Sequence, residues 1–218
     1  MSSWESVYAA GQQLNRYPYA EVVSFVKRYS RQKPLTGLHG LDVGCGSGVH
    51  ANLLAQEGAE VVAFDGSPSA IKHARSLHGH DQITYEVATL DGFSPAPRKF
   101  DLVVDRLSST YATRDVVAEF YQGLRTHLSD GARVLWQGFD PENSGRALGH
   151  FDDTTQTWTG FASGVFAPAD TIYFFTEEDL DIVFAGYRFV SKRLLIDTNL
   201  QTGYRHSYWN LELEPVAS

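Results

Sequence analysis

A glycine-rich run near residue 44 holds residue types that could bind a nucleotide-like cofactor. Gly44, Gly46 and Gly48 alternate with other residues directly after a short apolar segment, and Asp42 lies within that segment. Glycine has no Cβ atom, so such a run can turn tightly and bring backbone N–H groups close to a ligand. The acid before the glycines can accept hydrogen bonds from a cationic or hydroxyl group of that ligand.

The spacing of these glycines distinguishes two kinds of cofactor. A turn that binds a nicotinamide or flavin dinucleotide has the pattern G-x-G-x-x-G, whereas here the pattern is G-x-G-x-G and position 49 is Val. Asp42 would also repel a pyrophosphate group. The pattern therefore favours a cofactor with a positive charge near the turn, and a nicotinamide-dependent reductase is the weaker alternative.

A second acid, Asp65, ends the apolar segment 61–65. A carboxylate can accept hydrogen bonds from both hydroxyls of one ribose, which suits a nucleoside-containing cofactor. Each acid also has a purely structural interpretation. Asp42 could cap the glycine turn, and Asp65 could cap a helix for which Ser67 and Pro68 are good starting residues.

The elements that must position these acids alternate between strands and helices. The strands are continuous apolar segments, which is typical of a parallel sheet covered by helices on both faces. Ligands of such sheets bind beyond the carboxyl ends of the strands. We predict strands at 38–43, 60–65, 83–87, 100–105 and 132–136, a helical stripe through Val117, Phe120, Leu124 and Leu128, and a closing antiparallel pair at 188–196 and 204–213.

The run from Asp42 to Gly48, together with Asp65, resembles the class I S-adenosylmethionine-dependent methyltransferases. The resemblance covers residues 37–213 and implies an α/β, Rossmann-like sheet of seven strands in the order 3-2-1-4-5-7-6, with strand 7 antiparallel and helices on both faces. It implies S-adenosylmethionine as cofactor and S-adenosylhomocysteine as product. The cofactor-binding residues it implies are Asp42, Gly44, Cys45, Gly46, Gly48, Asp65, Gly66, Ser67, Ala88, Thr89, Leu90 and Asp105.

Two of these positions need comment. Many family members hold the adenine with an acid or amide after strand three, where this chain has Thr89, and Asp91 is the alternative if that strand is shorter. Cys45 invites a nucleophilic role, but we expect a small residue packed beside the ligand. His50 is expected to be structural or to line the edge of the pocket.

Methyl transfer from a sulfonium is an in-line displacement, so the enzyme must align the acceptor and sometimes remove a proton. The segment after strand four faces the methyl group in this architecture. Asp105 is a candidate base there, or it forms a salt bridge with Arg106. Tyr111 is a candidate for orienting the acceptor.

The acceptor side is expected to come from two regions outside the motifs. Residues 1–36 are predicted to form an N-terminal helical lid on the methyltransferase domain 37–213, and the aromatic segment at about 139–175 is predicted to be a substrate cap. The candidate substrate-binding residues are Tyr8, Tyr17, Arg106, Trp158 and His206, and His150 and Tyr204 are further candidates for the acceptor wall. The aromatic residues Trp4, Tyr8, Tyr17 and Tyr19 either fold over the cofactor as part of the lid or pack on the edge of the sheet.

The sequence thus predicts a methyltransferase acting on oxygen or nitrogen of a small-molecule acceptor. The alternatives are a non-catalytic S-adenosylmethionine sensor and a protein or RNA methyltransferase. The net charge of -8 argues against a nucleic-acid partner, and one cysteine excludes an internal disulfide. We expect no metal ion, no membrane insertion and a cytoplasmic location, because the chain has neither a spanning apolar run nor a signal-like start. The oligomeric state is left open.

Overall fold

A computed structural model describes residues 3–95 and 97–216, so the first two residues of the predicted lid lie outside it. The described residues form ten strands, seven in a central sheet and three in a small one. The strands are β1 (His39–Val43), β2 (Glu60–Asp65), β3 (Ile83–Val87), β4 (Phe100–Arg106), β5 (Leu128–Phe139), β6 (His150–Asp152), β7 (Thr157–Thr159), β8 (Thr171–Ile172), β9 (Tyr187–Thr198) and β10 (Arg205–Pro215). A seven-stranded sheet in the order β3-β2-β1-β4-β5-β10-β9 forms the centre of the molecule.

The pairing of these strands confirms the predicted fold. Strands β1 to β5 pair in parallel, whereas β10 is antiparallel to both β5 and β9. Two helical layers cover the sheet. The helices are α1 (Ser3–Ala9), α2 (Ala20–Gln32), α3 (Val49–Gln56), α4 (Pro68–His78), α5 (Arg114–Leu124) and α6 (Glu177–Val183).

Each face of the sheet carries its own apolar core, because successive side chains of a strand point to opposite sides. On one face Val43 and Trp136 pack with residues of α5 and α6. On the other face Val104 and Leu135 pack with residues of α2 and α3. The N-terminal helix α2 therefore belongs to one of the two layers, since its Val22, Phe25 and Val26 are buried in that core.

Side-chain caps fix where two of the helices begin. Ser67 accepts a hydrogen bond from the N–H of Ala70 and Pro68 occupies the first turn of α4, as its sequence predicts. At α6, Thr176 and Asp179 form a reciprocal capping box.

The predicted helical stripe ending at Leu128 was wrong at its last residue. The chain makes a 3-10 turn over Arg125–His127 after α5. Leu128 already pairs with Phe100 at the start of β5, so it belongs to the sheet.

The aromatic segment between β5 and α6 contains regular secondary structure and is not an irregular loop. It contains a 3-10 helix (Ser144–Leu148) and the three-stranded antiparallel sheet of β6, β7 and β8. Its aromatic side chains form a third apolar cluster, which includes Phe139, Phe161, Phe166 and Phe174 together with Leu107 of the main domain. This cluster fixes the small sheet beside the end of β4. Within the described ranges, no helix is both long and apolar enough to cross a membrane.

Candidate functional site

The glycine turn between β1 and α3 has a backbone that only glycine adopts easily. Gly44, Gly46 and Gly48 have φ angles of 60°, 51° and 86°, all in the left-handed region. A Cβ atom on Gly46 would lie 2.5 Å from Tyr8 Oη, and one on Gly44 would collide with the side chain of Ser108. The turn therefore needs glycine both for its conformation and for the close approach of its neighbours.

Asp65 ties this turn to the end of β2. Its Oδ2 accepts a hydrogen bond from the Gly46 N–H at 3.0 Å, and its Oδ1 accepts one from the Ser67 N–H at 2.8 Å. Burial raises the pKa of Asp65, while these two bonds act in the opposite direction. A carboxylate has about four acceptor positions, so Asp65 retains capacity for two hydroxyl donors. The remaining acceptor positions of Asp65 thus fit the two hydroxyls of a ribose. The role of Asp65 in binding the cofactor stays a prediction.

Asp42 lies beneath the turn rather than at its surface. Its side chain is 1% exposed, and its Oδ2 accepts a hydrogen bond from the Ala51 N–H at 2.8 Å. Burial raises the pKa of Asp42 to about 8. The contact with Ala51 matches the structural interpretation, in which Asp42 ties the turn to the first turn of α3. A direct contact with a cofactor stays a prediction.

The residues after β3 lie next to Asp65. The Ala88 N–H donates to the Asp65 carbonyl at 3.1 Å, and Thr89 Cγ2 would be 3.4 Å from a Cβ atom on Gly66. Leu90 packs against the apolar core, and Asp91 is exposed. The predicted cofactor residues of β1, β2 and β3 therefore meet at one edge of the sheet.

Cys45 has the packing expected of a small buried residue. It is 5% exposed, lies in the core between the sheet and α3, and donates its N–H to the Phe64 carbonyl. Burial raises the pKa of its thiol well above the usual value. Since the thiolate is the reactive form, this environment disfavours a nucleophilic role.

Helix α1 lies across the glycine turn. Glu5 accepts hydrogen bonds from Ser67 Oγ at 2.5 Å, Ser69 Oγ at 2.6 Å and the Ser69 N–H at 3.1 Å. The Tyr8 hydroxyl lies against Gly46, and its carbonyl contacts His73 Nε2 at 3.0 Å. Tyr8 thus lies at the cofactor turn, 6.2 Å from Trp4, and its role in binding the acceptor stays a prediction.

The structure excludes one of the two alternatives for Asp105, the salt bridge with Arg106, and its role as a base stays a prediction. The side chain is fully buried and points to the α5 face, where its Oδ2 accepts from Tyr121 Oη at 2.7 Å. Its Oδ1 accepts from the N–H groups of Ser108 and Ser109 and lies next to the Ser108 hydroxyl. It forms no salt bridge with Arg106, because neighbouring residues of a strand point to opposite faces. Asp105 therefore anchors the turn after β4, and a role as base would require it to break these bonds.

Arg106 emerges on the other face, among aromatic side chains. Its guanidinium carbon lies 3.2 Å from the centre of the Tyr19 ring. Burial lowers the pKa of Arg106, and Tyr111 and Tyr208 are close enough to influence it in the opposite direction. Tyr111 also packs edge-on against Trp4 at 5.0 Å. We call Arg106, Tyr19, Tyr111 and Tyr208 the arginine–tyrosine cluster.

The other acceptor candidates divide between this cluster and the surface. His206 packs 5.5 Å from Tyr208, next to the cluster. Tyr17 is 83% exposed and lies outside the cluster, and its role in binding the substrate stays a prediction. Trp158 lies in the small sheet, 4.6 Å from Phe151 and beneath the Arg146 guanidinium, and His150 is exposed.

Sequence reasoning missed several residues of the site. Tyr208 alternates with His206 on β10, so the strand period could have placed both on one face. Glu5 and Tyr121 gave no such signal, because their partners are 62 and 16 residues away along the chain.

Residues 41–131 match the family model described as a methyltransferase domain. This match begins one residue before Asp42 and includes both acids and the whole glycine turn. Over these residues the chain is therefore similar to a methyltransferase domain.

Curated relatives and solved structures are consistent with this domain. The chain is 41% identical over 78 residues to a ubiquinone biosynthesis O-methyltransferase of Xylella fastidiosa, covering 34% of this chain and 31% of the relative. A second such enzyme, from Ruegeria pomeroyi, is 31% identical over 105 residues, covering 43% of this chain and 42% of the relative. The chain thus spans only about a third of the length of the first of these relatives.

A solved structure shares the whole fold of the domain. The S-adenosylmethionine-dependent methyltransferase of Anabaena variabilis superposes with a TM-score of 0.70 at 15% identity, covering 98% of this chain and 92% of that one. At this identity the likeness concerns the fold alone. The methyltransferase domain therefore shares the fold of its structural neighbours, whereas its substrate-side residues must be judged from its own geometry.

Proposed function

We propose that this protein transfers a methyl group from S-adenosylmethionine to an oxygen atom of a small-molecule acceptor. The observation that carries the proposal is the bond between Asp65 and Gly46, which holds an acidic side chain directly over the left-handed glycine turn. That arrangement offers backbone N–H groups and carboxylate oxygens at one sheet edge, as a nucleoside cofactor requires. In this proposal Asp65, Gly44, Gly46 and Thr89 hold the cofactor.

The choice of a small acceptor rests on the arginine–tyrosine cluster. Its rings lie half-buried between the end of β4, α2 and β10. Such an enclosed position favours a small molecule over a polymer chain. The name of the curated relatives, ubiquinone biosynthesis O-methyltransferase, favours an oxygen acceptor over nitrogen. In the same proposal, α1 is a lid over the cofactor and the segment 139–175 is the substrate cap.

The bound cofactor supplies an electrophilic methyl group on a sulfonium. The chain's contribution is then to position the acceptor oxygen and to exclude water. Burial raises the pKa of Tyr111, so its hydroxyl stays protonated and acts as a hydrogen-bond donor to the acceptor. Asp65 orients the cofactor and Asp105 orients the turn that carries Tyr111.

Calorimetry tests the cofactor. We expect S-adenosylmethionine and S-adenosylhomocysteine to bind and NAD to give no heat of binding. Asp65→Ala should weaken the binding of S-adenosylhomocysteine, since it removes the carboxylate at the turn. Binding of NAD alone would overturn the proposal in favour of a reductase.

Transfer is tested with S-adenosylmethionine labelled on its methyl group. Incubation of the protein with a fractionated metabolite extract should place the label in a small-molecule fraction, and Asp65→Ala protein should do so much more slowly. Label recovered only in protein or RNA would contradict the small-molecule acceptor. Cofactor binding with no labelled product in any fraction would mean that the chain is a sensor.

A further inference from the structure

Three buried nitrogen atoms surround the tyrosines of the arginine–tyrosine cluster. Arg106 Nε, His50 Nε2 and Trp4 Nε1 are buried and have no hydrogen-bond partner among residues 3–95 and 97–216. His50 itself is only 6% exposed. Buried donors are almost always paired in folded proteins, so three together indicate a group that completes them.

Each of these three side chains contacts a tyrosine of the arginine–tyrosine cluster. Arg106 lies on the face of Tyr19 at 3.2 Å, and the His50 ring is 5.9 Å from the same tyrosine. Trp4 packs at 5.0 Å against Tyr111. Burial lowers the pKa of His50 and raises that of Tyr111, and the nearby charge of Arg106 acts to lower both, so these side chains meet around the guanidinium.

The charge of Arg106 is not balanced by a carboxylate in contact with it. In the part of the chain that the structure describes, no Asp or Glu oxygen lies within 4.0 Å of its guanidinium nitrogens. Glu21 acts on Arg106 only through its charge, without forming an ion pair. A cation withdrawn from water is costly unless an anion and hydrogen bonds compensate it.

Neighbouring strands add further unpaired amide atoms on the same face. Arg106 pairs in register with Gln137 of β5, which in turn pairs with Asn210 of β10. Gln137 Nε2 donates to Asn210 Oδ1 at 2.7 Å, which leaves Gln137 Oε1 and Asn210 Nδ2 without partners in the described ranges. Unpaired hydrogen-bonding atoms therefore continue from Arg106 across β5 to β10.

The backbone after Arg106 connects this region to the glycine turn. Leu107 has a φ of 59°, a left-handed conformation that costs a non-glycine residue about 1–2 kcal/mol. Ser108 follows, and its Oγ donates to the Val43 carbonyl at 2.7 Å, directly before Gly44. Strained backbone of this kind persists only where the surrounding structure holds it. Here it lies between Arg106 and Ser108, and Ser108 bonds to the backbone directly before the glycine turn.

We propose that Arg106, together with His50 and Trp4, binds a carboxylate group of the methyl acceptor, so that the acceptor is a small carboxylic acid. This inference rests on the proposed function. A guanidinium binds a carboxylate through two parallel N–H bonds, one of them from Nε in the side-on arrangement. The neutral His50 ring and the Trp4 indole each supply one further donor, and a carboxylate can accept all of these bonds. The tyrosine rings then contact the rest of the acceptor.

The experiment measures carboxylate binding directly, without turnover. Benzoate and its neutral counterpart benzamide are titrated into the protein saturated with S-adenosylhomocysteine, and the arginine Nε–H signals are followed by nitrogen–proton correlation NMR. We expect benzoate to shift one such signal and to bind about tenfold or more tightly than benzamide, as for a charged hydrogen-bond pair. That signal should be missing from Arg106→Gln protein, and the preference should disappear with it.

Matched variants separate the loss of the site from the loss of structure. Trp4→Phe removes one N–H and retains an aromatic ring against Tyr111, so it should weaken benzoate severalfold while the amide spectrum shows a folded chain. Arg188→Gln removes an equal charge from an exposed arginine that pairs with Glu214, and it should leave the benzoate preference unchanged.

Several outcomes would overturn the inference. These are equal binding of benzoate and benzamide, a preference that survives Arg106→Gln, and tighter binding of phenyl phosphate than of benzoate. Failure of the proposed function has a different signature, because the wild-type protein would then not bind S-adenosylhomocysteine in calorimetry. Cofactor binding without any preference for benzoate would overturn only the carboxylate site.

Discussion

The carboxylate of Asp65 accepts the backbone N–H of Gly46 at 3.0 Å, across nineteen positions of sequence. This bond joins the end of β2 to the turn after β1, so the two motifs form one structural unit. The second oxygen accepts from the Ser67 N–H, which places the start of α4 in the same unit. A change at Asp65 therefore affects the conformation of the turn as well as any hydroxyl that the carboxylate would bind.

Replacement of Asp65 by alanine should weaken the binding of S-adenosylhomocysteine. The loss should be about 1–3 kcal/mol, since charged hydrogen bonds at a buried carboxylate disappear. Calorimetry measures it, with Asp81→Ala at an exposed turn residue as the control. Unchanged affinity in Asp65→Ala would mean that the acid serves only as a tie between β2 and the turn.

Gly46→Ala should abolish the binding of S-adenosylhomocysteine, which is a larger loss than a strained backbone alone would cause. The new Cβ would lie 2.5 Å from Tyr8 Oη, in addition to a left-handed φ of 51°. Gly131→Ala is the matched control, because its φ is 73° and no atom lies within 4 Å of the added Cβ. It should cost only about 1–2 kcal/mol of folding free energy and leave affinity intact.

Removal of the clashing hydroxyl tests the origin of that loss. The double variant Gly46→Ala with Tyr8→Phe should regain part of the affinity for S-adenosylhomocysteine in the same calorimetric experiment. If the double variant binds as poorly as Gly46→Ala alone, the contact between α1 and the turn does not limit binding.

Asp42 should make the unfolding free energy depend on pH. Its folded pKa is about 8, above the ordinary value of 3.8, so the folded chain retains a proton that the unfolded chain releases. The stability associated with this group is complete below pH 3.8 and declines as pH rises from there to about 8. Urea unfolding of Asp42→Asn, which retains an acceptor for the Ala51 N–H, should show a shallower decline over this interval. Identical slopes for both proteins would contradict a protonated Asp42.

The bonds of Glu5 to Ser67 and Ser69 should control how fast the cofactor leaves. Glu5→Gln and Ser69→Ala both weaken the attachment of α1 to α4, so each should increase the dissociation rate of S-adenosylhomocysteine severalfold. Stopped-flow displacement measures that rate, and Glu178→Gln on the exposed side of α6 is the control. Rates that do not change would make α1 a fixed wall and not a lid.

The strands and the glycine turn were predictable because both depend on local patterns, whereas the order of the strands in the sheet followed only from the resemblance to the methyltransferase family. Continuous apolar segments identify buried parallel strands, and the acid and glycines of 42–48 are contiguous in the chain. A salt bridge between Asp105 and Arg106 was one of two alternatives that the sequence left open. The period of two along a strand already argues against it, because it places neighbours on opposite faces.

The arginine–tyrosine cluster was beyond local patterns. Its members come from four separate segments, at the start of α2, the end of β4, the turn after it and β10. Tyr17 and Tyr19 differ by two positions, yet one is 83% exposed and the other lies under the guanidinium of Arg106. Only the packing of α2 on the sheet decides between them, and packing depends on the whole chain.

Tyr121→Phe should destabilise the fold through Asp105. The tyrosine hydroxyl donates to Asp105 Oδ2 at 2.7 Å, and both side chains are fully buried. Its removal leaves one oxygen of a buried acid without a donor, which costs about 1–3 kcal/mol in urea unfolding. Tyr187→Phe is the matched control, because its hydroxyl donates only to the neutral carbonyl of Tyr121 and should cost about 0.5–1.5 kcal/mol.

The same variant tests the role of Asp105 in transfer. If Asp105 anchors the turn that carries Tyr111, Tyr121→Phe and Asp105→Asn should both slow labelled methyl transfer moderately, with no change in its pH profile. If Asp105 is instead the base, Asp105→Asn alone should remove the acidic limb of that profile while Tyr121→Phe retains it. Burial raises the pKa of Asp105, yet the N–H groups of Ser108 and Ser109 and the Tyr121 hydroxyl already occupy its two oxygens. Those bonds favour the first outcome, because a base must present a free oxygen lone pair to the proton that it removes.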